Sequence, residues 1–173
     1  MVLAASAQIP DELSFYNLVV FLHIASLVVG LGVIFTYPVF LRIGLSRDPR
    51  GLPYLHRVQD VLGTRVIAAG LAGLLITGIY LAAEGPFDFG DLFVGVGILV
   101  VVLNLVLGVL YFARKGGRLL ALAERDIAAS AGKPNPVMSR EYVDLARQIE
   151  LVGYVSAGTV LLALMLMVFK PGV

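Results

Sequence analysis

"DLFVGVGILVVVLNLVLGVLYFA", residues 91–113, decides the fold. No charged residue occurs between Leu92 and Ala113. At ~1.5 Å per residue, a helix of this length crosses a hydrocarbon core ~30 Å thick. The apolar run is continuous and long, which argues against a half-buried strand with its alternating pattern. Three further stretches have the same character, at about 14–41, 61–83 and 149–169. The 173 residues are 59% hydrophobic and 14% charged, with a mean hydropathy of +0.93. Soluble domains are about half apolar and about a quarter charged. Lipid is therefore the expected solvent for much of this surface. The expected fold is all-α, a four-helix transmembrane bundle forming one domain over residues 1–173.

Several chemistries are excluded. The chain has no cysteine, so disulfides, thiolate metal sites and cysteine nucleophiles are absent. It has no tryptophan, leaving any interfacial aromatic belt to Tyr and Phe. No phosphate-binding loop, zinc-ligand spacing, serine triad or pair of deep carboxylates is visible. The N-terminal "MVLAASAQIPDELSF" lacks the positive region of a signal peptide. No internal repeat suggests an inverted-repeat transporter.

Charge distribution predicts the orientation. Segment 42–65 carries five basic residues and segment 114–147 carries seven, including Lys133, out of thirteen in all. The connection at 84–91 is acidic, and the N-terminal segment holds Asp11 and Glu12. Basic loops stay cytoplasmic. Both termini are thus expected outside a bacterial inner membrane, with the two longer loops inside. The basic residues suit topology and anionic lipid, not nucleic acid. "RKGGRLLALAERDIAAS", following the third span, reads as an amphipathic cytoplasmic helix, and Ser139 as the N-cap of the fourth. Pro38 lies within the first span and predicts a kink there, which Thr36 helps to satisfy.

Small and polar residues recur at helical spacing. They are Tyr16, His23, Ser26, Gly30 and Tyr37 on the first span, and Gly63, Gly70, Gly73, Thr77 and Glu84 on the second. Gly97, Asn104, Gly108 and Tyr111 mark the third, and Glu150, Tyr154 and Ala157 the fourth. Such stripes are the ordinary seam of a membrane bundle. Asn104 is expected to make an interhelical hydrogen bond. Arg65 and Glu150 enter their helices at a similar level and are expected to pair at the rim, since a lone charge there is costly.

His23 is the exception. It lies about nine residues, or ~13 Å, inside the first span. An ionisable group at that depth is a functional candidate by default. Neutral imidazole ligates haem iron, holds a metal or relays a proton; the alternative is a histidine hydrogen-bonded within the bundle. Its ring is expected to face helix, not lipid, because Ser26 and Gly30 beside it are small. That space suits either a flat cofactor or a close helix. His56, in "YLHRVQD", reads as part of a solvated loop at the opposite end, too far away to share an iron with His23.

Leu22-His23, Gly30, Gly32 and Tyr37-Pro38, with "LLITGIYLA" at 74–82, resemble a bacterial four-helix membrane family of unknown function. That family is distantly similar to CopD-like copper-resistance domains and HemJ-type protoporphyrinogen oxidases. The HemJ-type resemblance implies haem b on His23. Where HemJ-type proteins carry histidine and lysine around the third helix, this chain has Asn104 as its one deep polar side chain. Three functions remain open. One is a haem or tetrapyrrole protein with a redox role, its site drawn from His23, Ser26, Gly30 and Tyr37. Another is an accessory or assembly subunit, joining a second copy or a larger membrane complex. The third is a small ion or proton transporter lined by Asn104, Thr77, Tyr154 and the Arg65/Glu150 pair.

Overall fold

The computed structural model describes residues 15–132 and 136–171. Ser14, Asp11, Glu12 and Lys133, on which parts of the sequence reading rest, lie outside the described residues. Helices dominate: α1 (Phe15–Gly32), α2 (Tyr37–Arg47), α3 (Leu52–Val61), α4 (Ala68–Glu84), α5 (Leu92–Leu107), α6 (Ala113–Ala129) and α7 (Arg140–Phe169). They join into four spans long and apolar enough to cross a membrane: Phe15–Arg47, Pro49–Glu84, Leu92–Ala129 and Arg140–Phe169. The four-helix reading holds.

The helices outrun the spans read from hydropathy. With 30 to 38 residues each, they extend roughly 45–57 Å, well beyond a ~30 Å core. The excess lies at the basic end, opposite the 85–91 turn. There the chain builds a second, water-type core from Leu52, Leu119, Leu122, Ala123, Tyr142, Leu145 and Ala146. Leu119, Leu122 and Ala123 form the apolar face of α6, the amphipathic helix expected from the sequence. Leu52 and Tyr142 are fully buried in this core. A membrane core at mid-span gathers Leu31, Leu71, Leu74, Val100, Val160 and Ala163.

Besides the Pro49–Gly51 3₁₀ turn that joins α2 to α3, three joints near the basic end depart from α geometry. Residues Ile34–Thr36 form a 3₁₀ turn between α1 and α2. Pro38 lacks the N–H that would bond Ile34 O; the Tyr37 N–H reaches that carbonyl instead, and the Thr36 hydroxyl donates to Val33 O at 2.7 Å. The proline break is thus satisfied locally, as expected. Leu62–Ile67 and Gly108–Phe112 are π-helical. At α7 the Ser139 Oγ accepts from the Tyr142 N–H at 3.2 Å, confirming the cap. The Asp126 carboxylate accepts from the Ser139 N–H at 2.8 Å, tying the end of α6 to the start of α7.

Candidate functional site

The α1–α4 contact, the most extensive in the bundle, builds the site. These helices run antiparallel with backbones nearly touching. A Cβ placed on Gly70 would stand 2.4 Å from Gly30 Cα, and one on Gly73 would stand 2.5 Å from Ser26 Oγ. Small residues here permit the approach. Ser26 and Gly30 are therefore spent on the helix contact and leave no slot for a flat molecule between α1 and α4.

His23 lies farther along the same seam, toward the turn end. Its Nδ1 is 2.8 Å from Thr77 Oγ1, and the Thr77 hydroxyl donates to Gly73 O at 2.6 Å. With the hydroxyl proton committed to Gly73, Oγ1 acts as acceptor and the His23 Nδ1–H donates to it. This fixes one tautomer: Nδ1 carries the proton and Nε2 a lone pair. Gly78 makes room for the ring, since a Cβ there would lie 3.2 Å from His23 Cε1. The ring also hydrogen-bonds the backbone of Leu74. His23 is half-buried, and no buried side-chain polar atom among the described residues lacks a partner. The ring turns one edge inward, as expected.

The remaining sequence-derived residues lie elsewhere. Tyr37 is 14 positions from His23, about 21 Å along the helix, and its hydroxyl donates to Gln59 O at 3.1 Å. It shares no site with His23. Asn104 is buried in α5, donates to Val100 O at 2.8 Å, and accepts from the Ser156 hydroxyl of α7. The expected interhelical bond is present, but the sequence reading named Ala157 and passed over Ser156. Tyr154 is exposed and donates to Glu150 Oε1 at 3.1 Å. Glu150 is thus engaged by Tyr154, and among the described residues no ion pair joins it to Arg65. Thr77, Asn104 and Tyr154 sit in three separate contacts and line no common path. Met167, in α7, packs its methyl group against Gly97.

His56 departs from expectation. It is only 6% exposed, buried in the basic-end core, with Nε2 2.8 Å from the Tyr142 hydroxyl and Nδ1 3.0 Å from Gln59 Oε1. The 52–61 segment is a helix packed on α6, not a loop, so water is excluded from the ring. The signal was available: Leu52, Leu55, His56 and Gln59 follow helical spacing. Among the described residues no cluster of three or more His, Asp or Glu stands ready to hold a metal ion.

No match was found among curated proteins or among solved structures. The sequence does match a family of predicted integral membrane proteins, DUF2269, over residues 17–171. With four apolar spans in place and the match running through all of them, the chain belongs to the DUF2269 family of integral membrane proteins.

Proposed function

We propose that this is a multi-pass inner-membrane protein that takes haem b, or a related tetrapyrrole, on His23 Nε2 for a redox role, with its basic end in the cytoplasm. One observation carries the reading: a half-buried imidazole at membrane depth has its Nδ1 tied to Thr77, whose hydroxyl is committed to Gly73 O, which leaves Nε2 as the basic nitrogen. A metal-bound histidine characteristically donates its second N–H to a fixed acceptor, which sets the tautomer and raises ligand basicity. Thr77 does this here.

The donor set would offer haem iron one imidazole nitrogen at the edge of the bundle. It does not fit a pocket inside it, because Ser26 and Gly30 are closed against α4 and Tyr37 is remote. When bound, haem supplies one-electron exchange. The chain's own part is to orient the ring. Thr77 holds Nδ1–H, Gly78 admits the ring edge, and the Gly30–Gly70 contact keeps α1 and α4 in register. Protein purified from haem-replete cells is expected to show a Soret band that His23→Ala removes; a colourless wild-type protein overturns the reading.

A second reading rests on the same atom. Nε2 would accept a hydrogen bond from another membrane chain, making the protein an assembly subunit. A colourless protein whose oligomer dissociates in His23→Ala would support it. Orientation is tested by single cysteines at the two ends. Ser46→Cys is expected to resist, and Gly90→Cys to accept, a membrane-impermeant thiol reagent applied to intact cells.

A further inference from the structure

The basic end holds a groove unrelated to His23. An opening of about 300 Å³ lies between the α6 extension and the first turns of α7, and a second of about 450 Å³ lies along the α7 face itself; they share Asp144 and Gln148 as walls. Asp144, Arg147, Gln148 and Leu151 lie at i, i+3, i+4 and i+7 and so share one face of α7. Lys115 faces Asp144 and Gln148 from α6.

The balance of charge in this groove is cationic. Its Glu141 is neutralised by Arg118 at 2.8 Å and by Arg125 at 3.1 Å. Its Asp144 faces Arg140 at 3.7 Å. Lys115 lies 5.9 Å above the Tyr111 ring. Among the described residues no carboxylate pairs with Lys115 or Arg147. Level matters as much as charge. Lys115 follows the apolar run of the third span by two residues, and the apolar run of the fourth begins at Ile149. Leu151, exposed at the end of the groove, continues its wall into the hydrocarbon region. An anionic headgroup over the shared Gln148 wall would meet Lys115 from one opening and Arg147 from the other, and hang its acyl chains along Leu151. A free anion would leave that apolar wall unused.

We propose that this groove is a binding site for an anionic phospholipid, with Lys115 and Arg147 supplying charge to the phosphodiester, Gln148 a hydrogen-bond donor, and Leu151 the acyl contact. Cations near an anionic membrane surface attract such lipids one by one, and here Lys115 and Arg147 line adjoining openings that share Gln148. The proposal does not depend on His23.

The test is native mass spectrometry of the full-length protein from micelles holding equal phosphatidylglycerol and phosphatidylcholine. Wild type is expected to retain phosphatidylglycerol selectively. Lys115→Gln and Arg147→Gln should each reduce that selectivity roughly fivefold, and the double variant about thirtyfold. Arg47→Gln, which removes the same charge on α2, should leave it unchanged. If the double variant fails to fold, the single variants and the charge-preserving Lys115→Arg decide, the last retaining selectivity. Equal retention of both lipids would overturn the proposal. So would displacement of phosphatidylglycerol by millimolar inorganic phosphate, which would mark a free-anion site, or an equal loss in Arg47→Gln.

Discussion

Replacing Gly70 with alanine tests the architecture that positions His23. The added methyl carbon would stand 2.4 Å from Gly30 Cα, 2.7 Å from Gly30 N and 3.0 Å from Ser26 O. All three are backbone atoms, so no side chain can rotate away. Restoring ordinary contact at ~3.5 Å requires α1 and α4 to part by about 1 Å. Overpacking of this kind costs about 1–3 kcal/mol. The same shift stretches the 2.8 Å His23–Thr77 contact, one turn from Ser26, toward loss of its hydrogen bond. Two other glycines calibrate the effect. At Gly30 the nearest contact is 3.1 Å, which a few tenths of an ångström relieve, so Gly30→Ala should cost about half as much or less. Gly95 has open space around its would-be Cβ within α5, so Gly95→Ala should be neutral or stabilising by up to about 1 kcal/mol. Thermal unfolding in mild detergent, followed by far-ultraviolet circular dichroism, ranks the three. If Gly70→Ala is as stable as Gly95→Ala, the close α1–α4 approach is wrong, and the geometry of His23 falls with it.

Other consequences concern the basic end. Tyr142→Phe leaves His56 Nε2 without its buried partner and should cost about 1–3 kcal/mol in the same unfolding assay. Asp126→Ala removes the carboxylate that accepts the Ser139 N–H, and should destabilise by about 1–3 kcal/mol; faster proteolysis between α6 and α7 would accompany it. Arg65→Gln and Glu150→Gln should be additive within about 0.5 kcal/mol in a double-mutant cycle, because Glu150 bonds Tyr154 instead.

The membrane spans were legible because lipid imposes a length and forbids charge, and runs such as Leu92–Ala113 leave no other reading. The α1–α4 seam was legible for a similar reason. Gly70, Gly73 and Thr77 share a face, and close approach selects small residues. Polar partners were harder to read. Asn104 was recognisable as a bonded group, but its partner Ser156 sits one position from the stripe drawn through Ala157, and a one-residue offset turns a helix face by about 100°. The rim pair failed because matched depth does not fix azimuth: Glu150 has Tyr154 one turn away on its own helix. His56 was misread because a mixed polar segment with proline and glycine resembles a loop. Its helical spacing was legible, but its burial depends on the long-range packing of Leu52 and His56 against Tyr142. For His23 depth and face were legible; its partner Thr77, itself bonded to Gly73 O, is set by the packing of α1 on α4.

The proposal that His23 Nε2 would hold haem iron is tested by the absorption spectrum of His23→Gly, purified without and with added imidazole. A Soret band is expected in wild type, with its loss in His23→Gly and its return when free imidazole occupies the space the side chain left. A Soret band that persists unchanged in His23→Gly without imidazole, or a wild type with no band, would contradict it.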